Sequence, residues 1–370
     1  MSKNVVVFLF SLYSRGGLEK VTNVLAKELV TRGYQVVYAI DAIDEKHEIF
    51  PERVEVAIFG DYLAPNERHV LAFVRNFLLA RSNLVRIKET YPNAVYVCVG
   101  SMYSGWAALS SKARPLFMWI HGPVKEVFAS SEKWIINKKL FFLADIVVVL
   151  SENMRNEIGH VLGKELLHKT LVIPNPVSTI TMEGLHSPGI KCFVYVGRLS
   201  FEKRVDRIIR TLPLIGRDNW KLLIIGDGPD KERLYRLAES LGVNENIEWA
   251  GWQSNPWGYI KERGGVEALL LTSDYEGYPT VLVEAMANGI PCVAVDCPTG
   301  PSDIIEDGVN GILIPLTSDE EIVERLSEVL QGFLEGKFVF DEEKIKDSVV
   351  EHDPAMVVEK WIDLIERYKV

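Results

Sequence analysis

Cysteine is scarce in this 370-residue sequence, which has only four, and none stands at the spacing of a metal site. Cys98, Cys192, Cys292 and Cys297 lie mostly in apolar, strand-like segments. Buried free thiols of this kind are typical of proteins from a reducing compartment. We therefore expect a cytoplasmic protein whose fold does not depend on disulfide bonds.

Long hydrophobic runs are missing as well. The longest ones, such as VVVFLF at 5–10 and ALLL at 268–271, have the length of buried strands and are far shorter than a membrane span. The amino-terminal segment has no small-residue cleavage site, and its apolar part is too short for a signal peptide. We interpret it as the first strand of the fold.

Several motifs that carry chemistry are also absent. No D-x-D occurs, which removes the usual carboxylate site for a divalent metal that bridges a diphosphate, and no His/Cys/Asp cluster has the spacing of metal ligands. A Walker loop and a G-x-S-x-G nucleophile elbow are missing. GDGPDK at 226–231 comes nearest to a G-x-G-x-x-G fingerprint, but Lys231 stands where the third glycine belongs. We therefore expect no metal and no cofactor.

The net charge of −10 argues against binding to nucleic acid. The charge is unevenly distributed, however. Residues 1–180 hold 21 Lys+Arg against 17 Asp+Glu, and the remainder holds 20 against 34. Such asymmetry can mark a lobe that faces a membrane or that faces an acidic ligand. The alternative is a solvated surface that has no partner.

Apolar β-rich runs alternate with longer amphipathic segments, which predicts parallel sheets covered by helices on both faces. A segment rich in Pro, Ser, Thr and Gly at 173–189 interrupts this rhythm as a linker would. We therefore predict an α/β protein with two Rossmann-like, doubly wound domains, 1–178 and 190–350, facing each other across a cleft. A tail at 351–370 adds an amphipathic helix over 353–369. The predicted helices of the second domain are 203–215, 230–241, 279–288 and 319–334.

Two carboxylates, Glu276 and Glu284, stand eight residues apart around Pro279. The apolar run before them predicts that Glu276 lies at the carboxyl edge of a sheet, where ligands of open α/β sheets bind. Glu284 falls inside the following helix, where a carboxylate can accept hydrogen bonds from a ribose diol. The alternative is structural, because both carboxylates could favour a helix dipole or pair with basic residues.

The start of this helix is a second candidate feature. Proline suits the first helical position, where its missing N–H is not needed. The backbone N–H groups of the next three residues are then predicted to be unpaired and to form an anion site, favoured by the helix dipole. These residues are Thr280, Val281 and Leu282.

Two cations are predicted at the carboxyl end of another strand, in YVGRLSFEKRVDRIIR at 195–210. Arg198 and Lys203 would both lie on the loop between this strand and a helix that begins near Glu202. Two cations that face a helix N-terminus are suited to a pyrophosphate. Lys203 on its own could equally be a solvated helix residue.

The first domain offers two weaker candidates. Gly16 and Gly17 lie between the first strand and a helix, where adjacent glycines let the backbone approach a ligand; a plain tight turn is the alternative. His121 follows a buried strand, so it would lie at the carboxyl edge of the first sheet. A core histidine with satisfied hydrogen bonds is the alternative for this residue.

Four stretches of the sequence are shared with one enzyme family: GRLSFEKRVD (197–206), IIGDGP (224–229), EGYPTVLVEAMANGIPCVA (276–294) and DGVNGILIP (307–315). Together they resemble the retaining glycosyltransferases of family 4, which have the GT-B fold, and the E-x7-E pattern of that family is Glu276 to Glu284 here. The match spans nearly the whole chain. WAGWQSNPW and CPTGPSDIIEDG look most like the lipopolysaccharide-core α-1,6-galactosyltransferases and neighbouring surface-polysaccharide enzymes.

The resemblance implies an enzyme that moves a hexose, galactose or glucose, from a UDP-sugar to a lipopolysaccharide-core or other cell-surface glycolipid acceptor, with retention and without a metal. A nucleotide-sugar epimerase, a sucrose- or trehalose-type synthase and a catalytically silent nucleotide-sugar-binding subunit are the alternatives. The first domain would bind the acceptor and the second the donor, and the tail would cross back to the first domain.

The resemblance also implies roles for single residues. Arg198 and Lys203 would bind the diphosphate and stabilise it as a leaving group. Glu276 would contact the hydroxyls of the donor sugar, and Glu284 would hold the ribose. The remaining implied contacts are Gly16 and Gly17 beside the donor phosphates and acceptor, the amides of Thr280 to Leu282 on the phosphate, His121 on the far edge of the sugar, and Gln253 on the base.

Two basic segments favour an anionic membrane as a further partner. Residues 68–88 carry five Lys/Arg and no acid, and KWIINKKLFF at 133–142 adds a basic aromatic helix. Basic amphipathic helices can lie on anionic lipid, which would make the protein peripheral at the inner face of the cytoplasmic membrane. Both segments also have an apolar stripe that a sheet could cover, so packing in the core is the alternative.

Overall fold

The computed structural model describes residues 4–10, 17–40, 54–58, 70–100, 102–122, 124, 138–178, 182–216 and 220–368. The chain forms two compact units. The N-terminal unit comprises Met1–Val177 and His352–Val370, and the C-terminal unit comprises Ser178–Glu351. The unit boundary falls inside the segment that the sequence marks as a linker, and the chain returns to the N-terminal unit for its last helix.

The N-terminal unit is built on a parallel seven-stranded sheet. Its strands are β1 (Val5–Phe10), β2 (Gln35–Ile40), β3 (Val54–Ile58), β4 (Val95–Val99), β5 (Leu116–Trp119), β6 (Ile146–Val149) and β7 (Thr170–Val172). The strand order is β3-β2-β1-β4-β5-β6-β7. Buried valines, isoleucines and aromatic residues fill the central strands, as expected when helices cover both faces of a sheet.

In the described part of this unit, helix covers α1 (Gly17–Thr31), α2 (Val70–Thr90), α3 (Met102–Ser110), α4 (Glu152–Val161) and α12 (Pro354–Arg367), and also residues 138–143. The clearest helical patterns in this part of the sequence are at 18–32, 66–90, 132–143 and 152–162, and α3 is not among them. Helix α12 packs against β5 through Trp361, whose ring centroid lies 5.0 Å from that of Trp119. Tyr34 and Arg32 hold the solvent side of α12 by hydrogen bonds of 2.6 and 2.7 Å to Glu366 and Glu359.

The start of α12 provides a test of this attachment. Asp353 caps the helix, and its side chain accepts hydrogen bonds from the backbone N–H groups of Ala355 and Met356. We expect Asp353→Ala to lower the free energy of unfolding of the N-terminal unit by about 1 kcal/mol, because two amide groups lose their partner. Urea unfolding followed by circular dichroism measures this change. Asp353→Asn is the matched control, since asparagine also caps well; an equal loss in both variants would contradict the role of the cap.

The C-terminal unit is built on a parallel six-stranded sheet with the order β10-β9-β8-β11-β12-β13. The strands are β8 (Cys192–Val196), β9 (Lys221–Ile225), β10 (Ile247–Gly251), β11 (Ala268–Leu271), β12 (Cys292–Asp296) and β13 (Gly311–Pro315). Both sheets therefore have the Rossmann order, in which the first strand is central and the fourth lies beside it. The predicted α/β class with two Rossmann-like, doubly wound sheets is confirmed.

Helices cover this second sheet. They are α5 (Val205–Thr211), α6 (Lys231–Ser240), α7 (Pro256–Lys261), α8 (Thr280–Met286), α9 (Pro301–Ile304), α10 (Asp319–Leu334) and α11 (Glu342–Asp347). The short helices α7, α9 and α11 have too few turns to show a periodic pattern, and the sequence did not predict them. In the part of the chain that the structure describes, no helix has the length and apolar character needed to cross a membrane.

The helix predicted over 203–215 is wrong in its extent. Regular α-helix covers only α5, and 3-10 helices precede it at Phe201–Lys203 and follow it at Leu212–Ile215. The break at its start is Arg204, whose φ of 48° lies in the left-handed region. Lys203 is consequently held in a tight turn and does not belong to the regular helix.

Candidate functional site

The neighbouring strands β8 and β11 mark the point where the strand order of the C-terminal sheet reverses. Ligands of open α/β sheets bind outside the carboxyl ends of the strands at such a switch point. The loop after β8 carries Arg198 and Lys203, and the loop after β11 carries Glu276. Residues 73 positions apart are therefore brought together at one edge of the sheet.

Lys203 and Glu276 form an ion pair at this edge. The Lys203 Nζ atom donates to both carboxylate oxygens of Glu276 at 2.7 Å, and Ser273 Oγ donates to Oε1 at 2.6 Å. The side chain of Glu276 is only 7% exposed, whereas that of Lys203 is 24% exposed. A carboxylate this deeply buried needs charge-assisted hydrogen bonds, and the lysine and the serine supply them. Glu276 therefore does pair with a basic residue, which was the structural alternative that the sequence left open.

A second set of ion pairs lies beneath these two loops. Arg204 and Arg207 both contact Asp274 and Asp319, and Arg207 Nη1 also donates to the carbonyl oxygen of Thr272 at 2.8 Å. Burial by itself would raise the pKa of the Asp319 carboxyl, but hydrogen bonds from the two guanidinium groups outweigh it and hold the pKa below its usual value. The network joins the loop of Lys203 to the loop of Glu276.

Close backbone contact fixes the neighbouring loop as well. A Cβ atom on Gly226, whose φ is +151°, would lie 1.8 Å from the carbonyl oxygen of Gly197. One on Gly228 would lie 2.2 Å from the carbonyl oxygen of Leu199. The glycines of GDGP therefore let the loop after β9 pack directly on the loop that carries Arg198. This motif resembles the G-x-G-x-x-G fingerprint in sequence, but its glycines have a structural role here.

Glu284 lies in α8 and is 7% exposed. Its Oε2 atom accepts a hydrogen bond of 3.2 Å from Nε1 of the buried Trp257 in α7. Asn255 caps α7 by accepting the backbone N–H of Gly258, so a short loop-borne helix brings the indole to the carboxylate. The two glutamates therefore have different partners, and they do not form a carboxylate pair.

The predicted anion site at the start of α8 needs correction. Pro279 is the N-cap, with φ −73° and ψ 88°, and the helix begins one residue later, at Thr280. The backbone N–H of Leu282 donates to the carbonyl oxygen of Pro279 at 3.0 Å, so the prediction that it is unpaired is wrong. An i to i+3 bond of this kind tightens the first turn of a helix. Thr280 and Val281 remain as the first two residues of the helix.

The other predicted contacts of this unit lie at the same edge of the sheet. Arg198 is exposed, two residues beyond the end of β8, and its carbonyl oxygen accepts a hydrogen bond of 2.8 Å from the Tyr195 hydroxyl. Gln253 is partly exposed, two residues beyond β10, and its side-chain amide donates to the carbonyl oxygen of Ala250 at 2.8 Å. Their predicted contacts with a diphosphate and a base remain predictions.

His121 lies in the N-terminal unit, two residues beyond the end of β5. Its ring is 4.4 Å from that of Trp119, and burial lowers the pKa of the imidazole to about 3, so the ring is neutral at physiological pH. Among the described residues, the buried Nε2 atom has no hydrogen-bond partner, which does not fit the alternative of a satisfied core histidine. Gly17 opens α1, whereas Gly16 lies outside the described residues.

Several residues that support the site were not predicted from the sequence. They are Ser273, Thr299 and Trp257, which bind the two glutamates directly, and Arg204, Arg207, Asp274 and Asp319, which join the loops. Only the position of Ser273 and Asp274 in the loop that follows β11 is visible in the sequence as a signal. Among the described residues, no three His, Cys, Asp or Glu side chains form a group that could hold a metal ion.

Comparisons with known proteins agree with this geometry. The family model for glycosyltransferase family 4 matches residues 15–180, and the model for glycosyl transferases group 1 matches residues 182–334. Lipopolysaccharide 1,6-galactosyltransferase from Salmonella typhimurium is 34% identical over 260 residues, which cover 66% of this chain and 68% of that protein.

Two solved structures show how far the fold is shared. The apo form of the lipopolysaccharide outer core galactosyltransferase WaaB superimposes with a TM-score of 0.74 at 24% identity, covering 98% of this chain and 99% of that one. The Anabaena protein Alr3699/HepE, solved in complex with UDP, gives a TM-score of 0.75 at 17% identity, covering 98% and 100%. At these identities the likeness concerns the fold. Together with the family models and the 34% identical relative, it shows that the chain belongs to the family 4 glycosyltransferases, enzymes with the GT-B fold.

Proposed function

We propose that this enzyme transfers a hexose, galactose or glucose, from a UDP-sugar to a lipopolysaccharide-core or other cell-surface polysaccharide or glycolipid acceptor. The observation that carries the proposal is the Lys203–Glu276 ion pair at the switch point of the C-terminal sheet, with Glu284 in the helix that follows. The galactosyltransferase relative suggests the acceptor class, and the UDP bound to a protein of the same fold suggests the nucleotide.

The positions of the side chains support distinct roles in binding the donor. Arg198 and Lys203 follow the same strand, so both cations can approach a diphosphate and stabilise it as it leaves. Glu276 would accept hydrogen bonds from hydroxyls of the sugar, and Glu284 from the ribose. Amides at the start of α8 would approach a phosphate oxygen. As the family resemblance implies, Gly16 and Gly17 would lie beside the donor phosphates and the acceptor. His121 would contact the far edge of the sugar, and Gln253 would contact the base.

We propose further that transfer retains the anomeric configuration and needs no metal. The leaving phosphate would help to deprotonate the acceptor hydroxyl on the same face of the sugar, so that no protein nucleophile is required. The partners of Glu276 support this view. A carboxylate whose oxygen atoms already accept hydrogen bonds from Lys203 and Ser273 is a weaker nucleophile than a free one.

Release of UDP from UDP-galactose, UDP-glucose and UDP-N-acetylglucosamine, with and without a lipopolysaccharide-core acceptor, tests the proposal. We expect acceptor-dependent release that EDTA leaves unchanged, and NMR of the product should show an α-linked sugar from an α-linked donor. A changed sugar without any acceptor would indicate an epimerase. Binding of UDP without turnover of any donor would indicate a silent binding subunit, and dependence on a divalent ion would overturn the metal-free route.

The acceptor proposal includes an anionic membrane surface. Parts of both basic segments lie outside the described residues, but their described parts expose apolar and basic side chains together. Leu78 and Leu79 of α2 are 54% and 41% exposed, and Phe142 is 38% exposed on a helical stretch that also carries Lys138 and Lys139. Such a combination is suited to the interface of an anionic lipid layer at the inner face of the cytoplasmic membrane.

Sedimentation with lipid vesicles tests this surface. We expect Leu78→Glu to weaken binding to vesicles of phosphatidylcholine and phosphatidylglycerol by about tenfold, because it removes apolar contact and adds a repulsive charge. Leu214→Glu is the matched control, since Leu214 is similarly exposed, at 60%, but lies in the C-terminal unit. Binding by the wild type that ignores both salt and phosphatidylglycerol would contradict the electrostatic contribution.

A further inference from the structure

Thr299 has an unusual backbone conformation. In the described part of the chain, four residues other than glycine have a positive φ: Lys112, Lys191, Arg204 and Thr299. Thr299, with a φ of 58°, is the β-branched one, and for such a residue the left-handed region is a genuine outlier. Strain of this kind persists only where the surrounding structure imposes it, and it is frequent at functional sites.

The hydroxyl of Thr299 gives a reason for the strain. Its Oγ1 atom lies 2.8 Å from the carbonyl oxygen of Glu276 and 2.9 Å from that of Pro298, so one proton is shared between two acceptors. The contact with Glu276 joins the loop after β12 to the loop after β11, across 23 positions of sequence. It holds the main chain of the residue whose side chain binds Lys203.

The next residue extends the same contact. Gly300 has a φ of +117°, and a Cβ atom placed on it would lie 2.5 Å from Cδ of Pro279, the N-cap of α8. The loop after β12 therefore touches both ends of the segment from Glu276 to Pro279. The loop that carries Glu276 is thus held both by the ion pairs of Arg204 and Arg207 with Asp274 and by the contacts of Thr299 and Gly300.

We propose that Thr299 is a positioning residue for Glu276. Its hydroxyl fixes the Glu276 main chain, and the strained left-handed conformation is what brings the hydroxyl to that carbonyl oxygen. This inference rests on the proposed function in one respect, namely that Glu276 contacts the donor sugar. A shift of about 1 Å at a group that orients the substrate is enough to slow a reaction by about a hundredfold.

Two substitutions separate positioning from ordinary stability. Thr299→Val keeps the shape and the β-branch but removes the donor, whereas Thr299→Ser keeps the donor and removes the branch. We expect Thr299→Val to lower kcat by at least about tenfold. The Kd for UDP should stay within about twofold of the wild type, because Arg198 and Lys203 lie on the loop after β8, which this substitution does not alter. We expect Thr299→Ser to retain the wild-type kcat within about threefold.

Lys191→Gly is the control for strain alone, because Lys191 also has a φ of 57° but lies at the amino end of β8. It should leave kcat unchanged. A Thr299→Val variant with normal kcat, or a kcat that falls equally in Thr299→Val and Thr299→Ser, would overturn the inference.

A measurement of stability keeps the inference testable if the proposed function fails. If the wild type turns over no UDP-hexose, the proposed function is wrong. Thermal unfolding of Thr299→Val, Glu276→Gln and the double variant then tests whether Thr299 is coupled to Glu276. Non-additive changes in Tm support a coupling between the Thr299 hydroxyl and the Glu276 side chain, because the hydroxyl is proposed to hold the main chain from which that side chain extends. Additive changes overturn it.

Discussion

Lys203→Ala is expected to lower the rate of hexose transfer by about a hundredfold while the protein remains folded. The lysine is one of two cations beside the proposed diphosphate, and removal of one preorganised charge from a transition state typically costs two to three orders of magnitude, or about 3 to 4 kcal/mol. Kinetics with saturating donor and acceptor measures the loss. Lys231→Ala is the matched control, since Lys231 forms an exposed i,i+4 pair with Asp227 in the same unit and should change nothing.

The same substitution has a second effect that identifies the ion pair. Without Lys203, the buried carboxylate of Glu276 keeps, within the described part of the chain, only the hydroxyl of Ser273 as a partner, and an uncompensated buried charge costs about 3 kcal/mol or more. We therefore expect a lower Tm, which Glu276→Gln in the same chain should largely restore without restoring activity. Glu276→Ala alone should cost less stability, because Lys203 can reach solvent, although it too should lower transfer by at least about tenfold.

The Lys203–Glu276 pair also predicts how the two losses combine. Groups that act as one unit are not additive, so the double variant Lys203→Ala/Glu276→Ala should be little slower than the worse single variant. Losses that multiply would show that the two side chains act independently. Near-normal transfer in both single variants would remove them from the site altogether.

Glu284→Gln is expected to weaken the binding of UDP by at least about tenfold. A carboxylate that accepts two hydrogen bonds from a ribose diol loses charge assistance on both when it becomes an amide, and each charge-assisted bond is worth about 1.5 to 3 kcal/mol. Isothermal titration with UDP measures the change. Glu248→Gln is the matched control, because Glu248 also accepts hydrogen bonds, from Tyr259 and Arg263, but lies near the amino end of β10.

A second ligand makes this test specific for the ribose. The wild type should bind 2′-deoxy-UDP more weakly than UDP, because a hydroxyl partner of Glu284 is missing, and Glu284→Gln should bind the two nucleotides almost equally. If the variant discriminates as well as the wild type does, Glu284 does not hold the ribose. Its hydrogen bond with Trp257 would then be its main role.

Local sequence signals identified the architecture well. Alternation of apolar strands with amphipathic helices is a property of neighbouring residues, so it predicted both Rossmann-like sheets. Turn residues after a strand also predicted which loops lie at the ligand-binding edge. The predicted extent of a helix was wrong where a single residue took an unusual conformation, as at Arg204. A helix was missed where it was too short to show a periodic pattern, as at 256–261.

The sequence by itself determined the fold class, the family, the loops that carry Arg198, Lys203 and Glu276, and the helix that carries Glu284. Only the tertiary structure decided how these side chains are held. The ion pair between Lys203 and Glu276, the hydroxyl of Thr299 on the Glu276 carbonyl and the indole of Trp257 on Glu284 all join residues at least 23 positions apart. The physical reason is that periodicity and turn chemistry act over a few residues, whereas these contacts exist only because the strand order places separate loops at one edge of a sheet.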